Sequence, residues 1–213
     1  MRRSTAAAVF GCASVLLSYP DEGFADDLAA VANALRHLPK SATRDRLTKT
    51  TTWLVHQEPL ALAAGYVETF DLRSRRNLHL TYYRHGDTRE RGMALTALVD
   101  AYRSVGLRVT PGELPDFLPA LLELAAVSSG GAGILSDHRA ALEALRDDLE
   151  LAKSPYADVI RAVADALGGL SRDDRSALAR YRAQGPPSER VGLEPFAPPE
   201  VIAQSVTIGA TRR

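Results

Sequence analysis

Apolar residues recur at intervals of three and four positions along most of the chain, which is the spacing of one face of a helix. Ala6, Val9, Phe10, Ala13, Leu16 and Leu17 form the first such stripe, and Phe24, Leu28, Val31, Leu35 and Leu38 form the second. Further stripes follow as far as Tyr181. The pattern predicts an all-α fold, a single-domain helical bundle of about nine helices over residues 1–184.

Capping residues refine the boundaries of several predicted helices. Asp71 is expected to cap a helix that reaches about Tyr83, and Ser171 with Asp174 predicts a capping box at the last helix. The Gly-rich residues 128–133 are expected to form a loop between two helices. From residue 185 to 213 five of the twelve prolines accumulate and no helical stripe remains, so we predict a mobile or surface-bound tail there.

The first stripe has a competing interpretation, because two arginines precede it and Cys12 lies within it. These features are typical of a short export signal cleaved before Cys12. The apolar stretch ahead of Cys12 is too short for that, and its helical spacing favours a first core helix.

Charge excludes several classes of partner. The chain has 26 Lys and Arg against 26 Asp and Glu, so its formal net charge is zero. Binding to extended nucleic acid or to an anionic membrane depends on a basic excess, and a membrane-spanning helix needs about 18 continuous apolar residues. We therefore expect no nucleic-acid partner and no direct membrane insertion.

The sequence offers little catalytic chemistry. Its five histidines show no metal-binding spacing, and the glycines near residue 131 lack the strand and the Lys-Ser/Thr ending of a phosphate loop. We expect no cofactor, no metal site and no catalytic residues. A helical enzyme of unknown substrate, either a hydrolase or a metal-dependent one, is the alternative that the sequence leaves open.

The most unusual composition lies at residues 71–91, where six arginines meet three acids and alternate with apolar and tyrosine residues. Arginine stems that cover the edge of the core would explain this pattern, and so would a surface that binds a peptide. The segment Glu113–Pro119 is either a rigid helix entry or an acidic corner of such a surface.

Four segments resemble one known family: Leu16–Asp21, Tyr66–Arg73, Leu78–Leu95 and Glu113–Pro119. They are similar to the nitrate reductase molybdenum cofactor assembly chaperones of the NarJ type, within the TorD-like redox-enzyme chaperones, over about residues 9–170. The family's Glu-x-Pro-Asp-His pattern falls on Glu113, Pro115 and Asp116, with Phe117 in place of the histidine.

The resemblance implies a cytoplasmic, non-enzymatic chaperone. Such proteins bind the apo form of the catalytic (alpha) subunit of respiratory nitrate reductase, partly through its N-terminal segment, and keep it competent for insertion of the molybdenum cofactor. Proteins that deliver the molybdenum cofactor are further candidate partners.

The peptide-binding residues that we predict on this basis surround the two central motifs. Tyr66, Phe70, Leu78, Tyr82 and Tyr83 are expected to line a groove, and Arg75, Arg76, Arg89 and Arg91 to lie at its rim. Asp71, His85, Glu113, Pro115 and Asp116 complete the predicted site. The sequence leaves open whether Val201, Ile202, Val206 and Ile208 fold back over this groove.

Overall fold

A computed structural model describes residues 3–110 and 112–187, and within these ranges it contains eleven α-helices and no strand. The helices are α1 (Arg3–Leu16), α2 (Phe24–His37), α3 (Ala42–Val55), α4 (Pro59–Tyr66), α5 (Leu80–His85), α6 (Arg89–Ser104), α7 (Leu118–Val127), α8 (Ser129–Asp137), α9 (Arg139–Leu151), α10 (Tyr156–Leu167) and α11 (Arg172–Gln184). The all-α prediction is confirmed, whereas the expected count of about nine helices is too low. The tail residues from 188 onward, with Val201, Ile202, Val206 and Ile208, lie outside the described ranges.

Helix α1 packs at the centre of the bundle, against α7 on one side and α10 on another, with α2 and α3 alongside. Its apolar stripe is buried, and Phe10 and Leu16 are both at most 2% exposed. Cys12 lies in the same stripe, where burial raises the pKa of its thiol to about 11. The thiol is therefore neutral and behaves as a small apolar group of the core.

The predicted continuous helix from Asp71 to Tyr83 is wrong. Helix α4 instead widens into one π-helical turn, Val67–Asp71, and the chain then runs through a 3₁₀ turn, Ser74–Arg76, before α5 begins at Leu80. The π turn coincides with an aromatic cluster in which Phe70 lies 4.9 Å from the rings of both Tyr66 and Tyr156. Packing around this cluster overrides the local capping preference of Asp71.

The predicted Gly-rich loop is also wrong, because α8 runs through these glycines from Ser129 and the Ser128 hydroxyl accepts a hydrogen bond from the Gly130 amide. The reason is the close approach of α8 to α7. A Cβ atom on Gly131 would lie only 2.4 Å from the backbone carbonyl oxygen of Leu124. Glycine is therefore required at 131 for packing and not for chain flexibility.

The last helix begins as predicted and ends close to α5. Ser171 and Asp174 form the capping box in which each side chain accepts from the backbone amide of the other residue. Tyr181 then packs against Tyr83, with ring centroids 5.2 Å apart. Gly185, with φ of 72°, terminates α11 through a hydrogen bond from its amide to the Tyr181 carbonyl.

Two glycines of α8 give a matched test of this packing. Gly131→Ala should lower the free energy of unfolding by about 1 to 3 kcal/mol, because the new methyl group meets the α7 backbone. Gly133→Ala, where no atom lies within 4 Å of the new Cβ, should raise it by about 0.5 to 1 kcal/mol through helix propensity. Urea denaturation of both variants measures the difference, and equal effects would contradict the assigned contact.

Candidate functional site

Two segments that are distant in sequence meet at a short antiparallel contact. The Leu80 amide donates to the Asp116 carbonyl at 3.0 Å, and the Leu118 amide donates to the Leu78 carbonyl at 2.8 Å. These bonds pair His79 with Phe117 in an isolated β-bridge. The contact joins the Arg- and Tyr-rich segment to the Glu113–Pro119 segment, and it fixes the starts of α5 and α7 side by side.

Asp116 is the polar centre of this contact and its side chain is fully buried. The amide and the hydroxyl of Thr81, in the first turn of α5, both donate to its Oδ2 atom. His79 Nδ1 lies 3.0 Å from Oδ1, and an Arg91 guanidinium nitrogen lies 3.5 Å from Oδ2. The carboxylate thus satisfies an N-terminal amide of α5 from another part of the chain.

The protonation of Asp116 follows from these partners. Burial by itself would raise the pKa of the carboxyl group, but hydrogen bonds from His79 and Thr81 and the favourable electrostatic interactions with His79 and Arg91 outweigh it. The pKa of Asp116 is therefore held below its ordinary value. A buried carboxylate that is fully paired in this way stays charged at neutral pH.

An open cavity of about 590 Å³ lies beside the contact. Its apolar wall consists of Phe70, Leu72, Leu78, Tyr82 and Phe117, and its polar wall consists of Asp71, Ser74, Asn77, His79, Asp87 and Arg91. We call these eleven residues the groove. Phe70 and Leu78 are almost fully buried and form its floor, whereas Leu72 is 70% exposed at its edge.

The charges of the groove are arranged differently from the prediction of a basic rim. Arg91 is the groove arginine, and it contacts Asp87 at 3.2 Å and Asp116 at 3.5 Å while its guanidinium lies 5.9 Å from the Tyr82 ring centre. Asp87 and Asp71 are both exposed. The mouth of the groove therefore carries carboxylates, and its one arginine is already paired.

Five predicted site residues line the groove: Phe70, Asp71, Leu78, Tyr82 and Arg91. Tyr66 and Tyr83 lie behind it in the core, at 4% and 5% exposure. The Tyr66 hydroxyl donates to the Leu17 carbonyl, and the Tyr83 hydroxyl lies 3.0 Å from the carbonyls of Arg75 and Asn77. Burial raises the pKa of both tyrosines, so both hydroxyls remain protonated donors.

The remaining predicted residues are not among those that line the groove: Arg75, Arg76, His85, Arg89, Glu113, Pro115 and Asp116. His85 lies at the end of α5, with Nδ1 3.4 Å from Glu90. Asp116 and Pro115 are buried, and Glu113 is exposed. Asp116 supports the wall from behind through His79 and Thr81.

Sequence reasoning missed six groove residues: Leu72, Ser74, Asn77, His79, Asp87 and Phe117. Four of them lie between residues 72 and 79, where a regular helix was expected. Residues 73–77 are five consecutive polar residues, so no apolar residue recurs there at helical spacing, and this was the available indication.

Neither a metal cluster nor a membrane span is found in the described ranges. No group of three or more His, Cys, Asp or Glu side chains could hold a metal ion in residues 3–110 and 112–187. Across the same residues, none of the helices is both long and apolar enough to cross a membrane.

Asp116→Asn tests the role of the buried carboxylate. The variant should lose about 2 kcal/mol of unfolding free energy at pH 7, because the charge that His79, Thr81 and Arg91 stabilise is removed. Since the native pKa of Asp116 lies below the unfolded value, this contribution is complete above about pH 4 and is lost as pH falls through the native pKa.

The measurement is urea denaturation of both proteins at pH 7, 5 and about 3. The difference between them should shrink towards the acid end. Asp87→Asn, which changes an exposed carboxylate, should shift stability by less than about 0.5 kcal/mol. A difference for Asp116→Asn that stays constant or grows at low pH would contradict the assignment.

The sequence has well-matched relatives. Residues 21–162 match the family described as nitrate reductase delta subunit. The nitrate reductase-like protein NarX of Mycobacterium tuberculosis is 42% identical over 167 residues, which cover 76% of this chain but only 25% of NarX. NarJ of Bacillus subtilis, named as a nitrate reductase molybdenum cofactor assembly chaperone, is 31% identical over 163 residues, covering 76% of this chain and 89% of that protein.

A solved structure shows the same fold. A redox enzyme maturation protein from Archaeoglobus fulgidus superimposes with a TM-score of 0.57 at 22% identity, over 78% of this chain and 94% of that one. The NarJ relatives are named for assembling an enzyme and not for a reaction of their own. The resemblance noted in the sequence is confirmed, and the chain belongs to the nitrate reductase delta subunit family.

Proposed function

We propose that this protein is a cytoplasmic assembly chaperone for nitrate reductase. It binds the apo form of the catalytic (alpha) subunit through the N-terminal segment of that subunit and keeps it competent for insertion of the molybdenum cofactor. The family match and the names of the NarJ relatives support the general role. The observation that supports the binding site is the groove, an open cavity with an apolar wall that is built largely from three of the four segments that carry the resemblance.

The size and lining of the groove suit a short amphipathic helix. A volume of about 590 Å³ is within the range of sites that enclose several side chains. Leu72, Tyr82 and Phe117 offer partly exposed apolar surface above the buried floor. Apolar residues one helical turn apart on a bound peptide would fill this surface.

The charges at the mouth specify the ligand further. The exposed carboxylates of Asp71 and Asp87 favour Lys or Arg residues that flank the apolar positions of the peptide. Arg91 is paired with Asp87 and Asp116, so it offers little to an acidic ligand. The preferred ligand is therefore apolar and basic.

The proposed function needs differential affinity and no covalent step. A segment that is accessible in the apo subunit and packed away in the finished enzyme would bind the chaperone only before cofactor insertion. Ordering a flexible segment on binding offsets part of the contact free energy, which keeps the affinity moderate and permits release.

A pull-down from cells growing by nitrate respiration tests the function. The tagged protein should recover the catalytic subunit from cells that cannot make the molybdenum cofactor, and recover less of it from cells that can. Recovery should be reduced when the N-terminal segment of the subunit is deleted. Equal recovery of the cofactor-loaded and the apo subunit would contradict the proposal. Proteins that deliver the molybdenum cofactor are further partners that this experiment detects.

Two exposed leucines provide a matched test of the groove. Leu72→Ala should weaken binding of a peptide from the N-terminal segment by about fivefold, or ~1 kcal/mol, because the peptide covers this side chain. Leu60→Ala changes a leucine of similar exposure at the start of α4, outside the groove, and should leave binding unchanged. Calorimetric titration measures both, and equal affinities for the two variants would exclude the groove as the binding site.

A further inference from the structure

His79 lies in the wall of the groove with one ring nitrogen engaged and the other accessible. Its Nδ1 atom is 3.0 Å from Oδ1 of Asp116, whose side chain is fully buried. Its Nε2 atom has no hydrogen-bond partner within residues 3–110 and 112–187, and it is not one of the buried, unpartnered side-chain atoms of those ranges. The side chain is 33% exposed and lines the groove. Nε2 is therefore open to a ligand in the groove.

The carboxylate of Asp116 determines which nitrogen of His79 carries the proton. Asp116 stays ionised at neutral pH because its pKa is lowered, so both of its oxygens can only accept hydrogen bonds. The contact with Oδ1 therefore requires a proton on Nδ1. A neutral imidazole has one such proton, which leaves Nε2 as a hydrogen-bond acceptor. The contact with Asp116 thus fixes both the position and the character of the accessible nitrogen.

The neighbouring polar groups of the groove are already engaged. The side-chain amide of Asn77 donates to the Ser74 carbonyl at 3.1 Å and accepts from the His79 amide at 2.8 Å. The Arg91 guanidinium is paired with two carboxylates. A ligand that enters the groove therefore meets, at Nε2 of His79, an acceptor that no donor of the described ranges satisfies.

The surroundings of Nε2 select the kind of donor. The His79 ring lies 5.5 Å from the Phe117 ring, and the two residues are opposite each other in the β-bridge. A cation placed between a neutral imidazole and this apolar ring would lose hydration, whereas the exposed carboxylates of Asp71 and Asp87 at the mouth would pair with it. A neutral hydroxyl loses less hydration, and the carbon that carries it can pack on Phe117.

We propose that His79 is a specificity-determining residue of the groove, and that its Nε2 atom accepts a hydrogen bond from a Ser or Thr hydroxyl of the bound segment. The inference rests on the proposed function, since that segment belongs to the apo catalytic subunit of nitrate reductase. Apolar side chains of the segment provide affinity, and the hydroxyl fixes their register in the groove. A segment without the hydroxyl would cover Nε2 and leave it unpaired, so it binds less tightly.

Variants of His79 separate the roles of its two nitrogens. Asparagine can place an amide nitrogen near the position of Nδ1 and so keep a donor to Asp116, but it has no atom at the position of Nε2. Glutamine reaches the position of Nε2 with its amide oxygen. His79→Asn should therefore weaken binding of a synthetic peptide of the N-terminal segment about fivefold in calorimetric titration, and His79→Gln should weaken it less. His56→Asn, at the exposed end of α3 outside the groove, is the matched control and should leave binding unchanged.

A double-mutant cycle identifies the donor. Each serine of the peptide is replaced in turn by alanine and each threonine by valine, and every peptide is titrated against the unaltered protein and against His79→Asn. One replacement should weaken binding to the unaltered protein about fivefold and binding to the variant by less than about twofold. The titrations are made at about pH 8.5, where histidine side chains are largely neutral.

The protonation of the ring is tested without a ligand. Nitrogen-15 NMR of the full-length protein at the same pH should place the His79 proton on Nδ1, and comparison with the spectrum of His79→Asn assigns the signal. A proton on Nε2 would overturn the acceptor assignment.

The outcomes separate the two proposals. If the peptide binds the unaltered protein but no hydroxyl replacement depends on His79, or if the peptide contains neither Ser nor Thr, the inference is overturned and the proposed function stands. Equal losses for His79→Asn and His79→Gln without such dependence would give His79 a purely structural role and also overturn the inference. If the peptide does not bind the unaltered protein at all, the peptide-binding function fails, and the inference fails with it.

Discussion

The site depends on one contact, the pairing of residues 78–80 with 116–118 around the buried carboxylate of Asp116. A buried charge is tolerated only when its hydrogen bonds are complete, and here Thr81, His79 and Arg91 complete them. Each of these partners also contributes to the groove or to the start of α5. The interactions of this one carboxylate thus link His79, the first turn of α5 and Arg91 of α6 to the segment that precedes α7.

The groove is preorganised by buried residues that do not line it. The Tyr83 hydroxyl is the hydrogen-bond donor to the backbone carbonyl oxygens of Arg75 and Asn77, each 3.0 Å away, and so fixes the path of the irregular segment. Tyr66 and Tyr156 pack on Phe70 from the core side and hold the floor in place. These rings belong to one continuous core, which restrains the floor of the groove. An aromatic-rich sequence near a site can therefore contain residues that support the walls of the site as well as residues that line it.

Most helices could be predicted from the sequence because their determinants are local. The stripe of α2, the cap of α3 by Ser41 and the capping box of α11 each involve residues within a few positions of one another. The irregular course of residues 72–79 could not be predicted, because its hydrogen-bond partners, Asp116 and the Tyr83 hydroxyl, come close to it only in the folded protein. The helical structure at Gly131 could not be predicted for the same reason, because the atoms that require glycine there belong to the backbone of α7. The resemblance pointed to segments that contribute to the groove lining, but it did not indicate which residues of each segment line it.

The positions of the charged side chains around the groove also could not be predicted from the sequence, and they bear on the proposed function. The excess of arginine in residues 71–91 predicted a basic surface, but a sum of charges over the sequence does not say where each charge lies. In the structure Arg91 is paired inside the groove, Asp71 and Asp87 lie at its mouth, and Arg73 and Arg84 are exposed outside the lining. The apolar and basic ligand that we propose would therefore meet the carboxylates of Asp71 and Asp87 at the mouth and the apolar wall inside the groove. The apolar side chains of such a ligand would supply most of the binding free energy, and its charges would orient it in the groove.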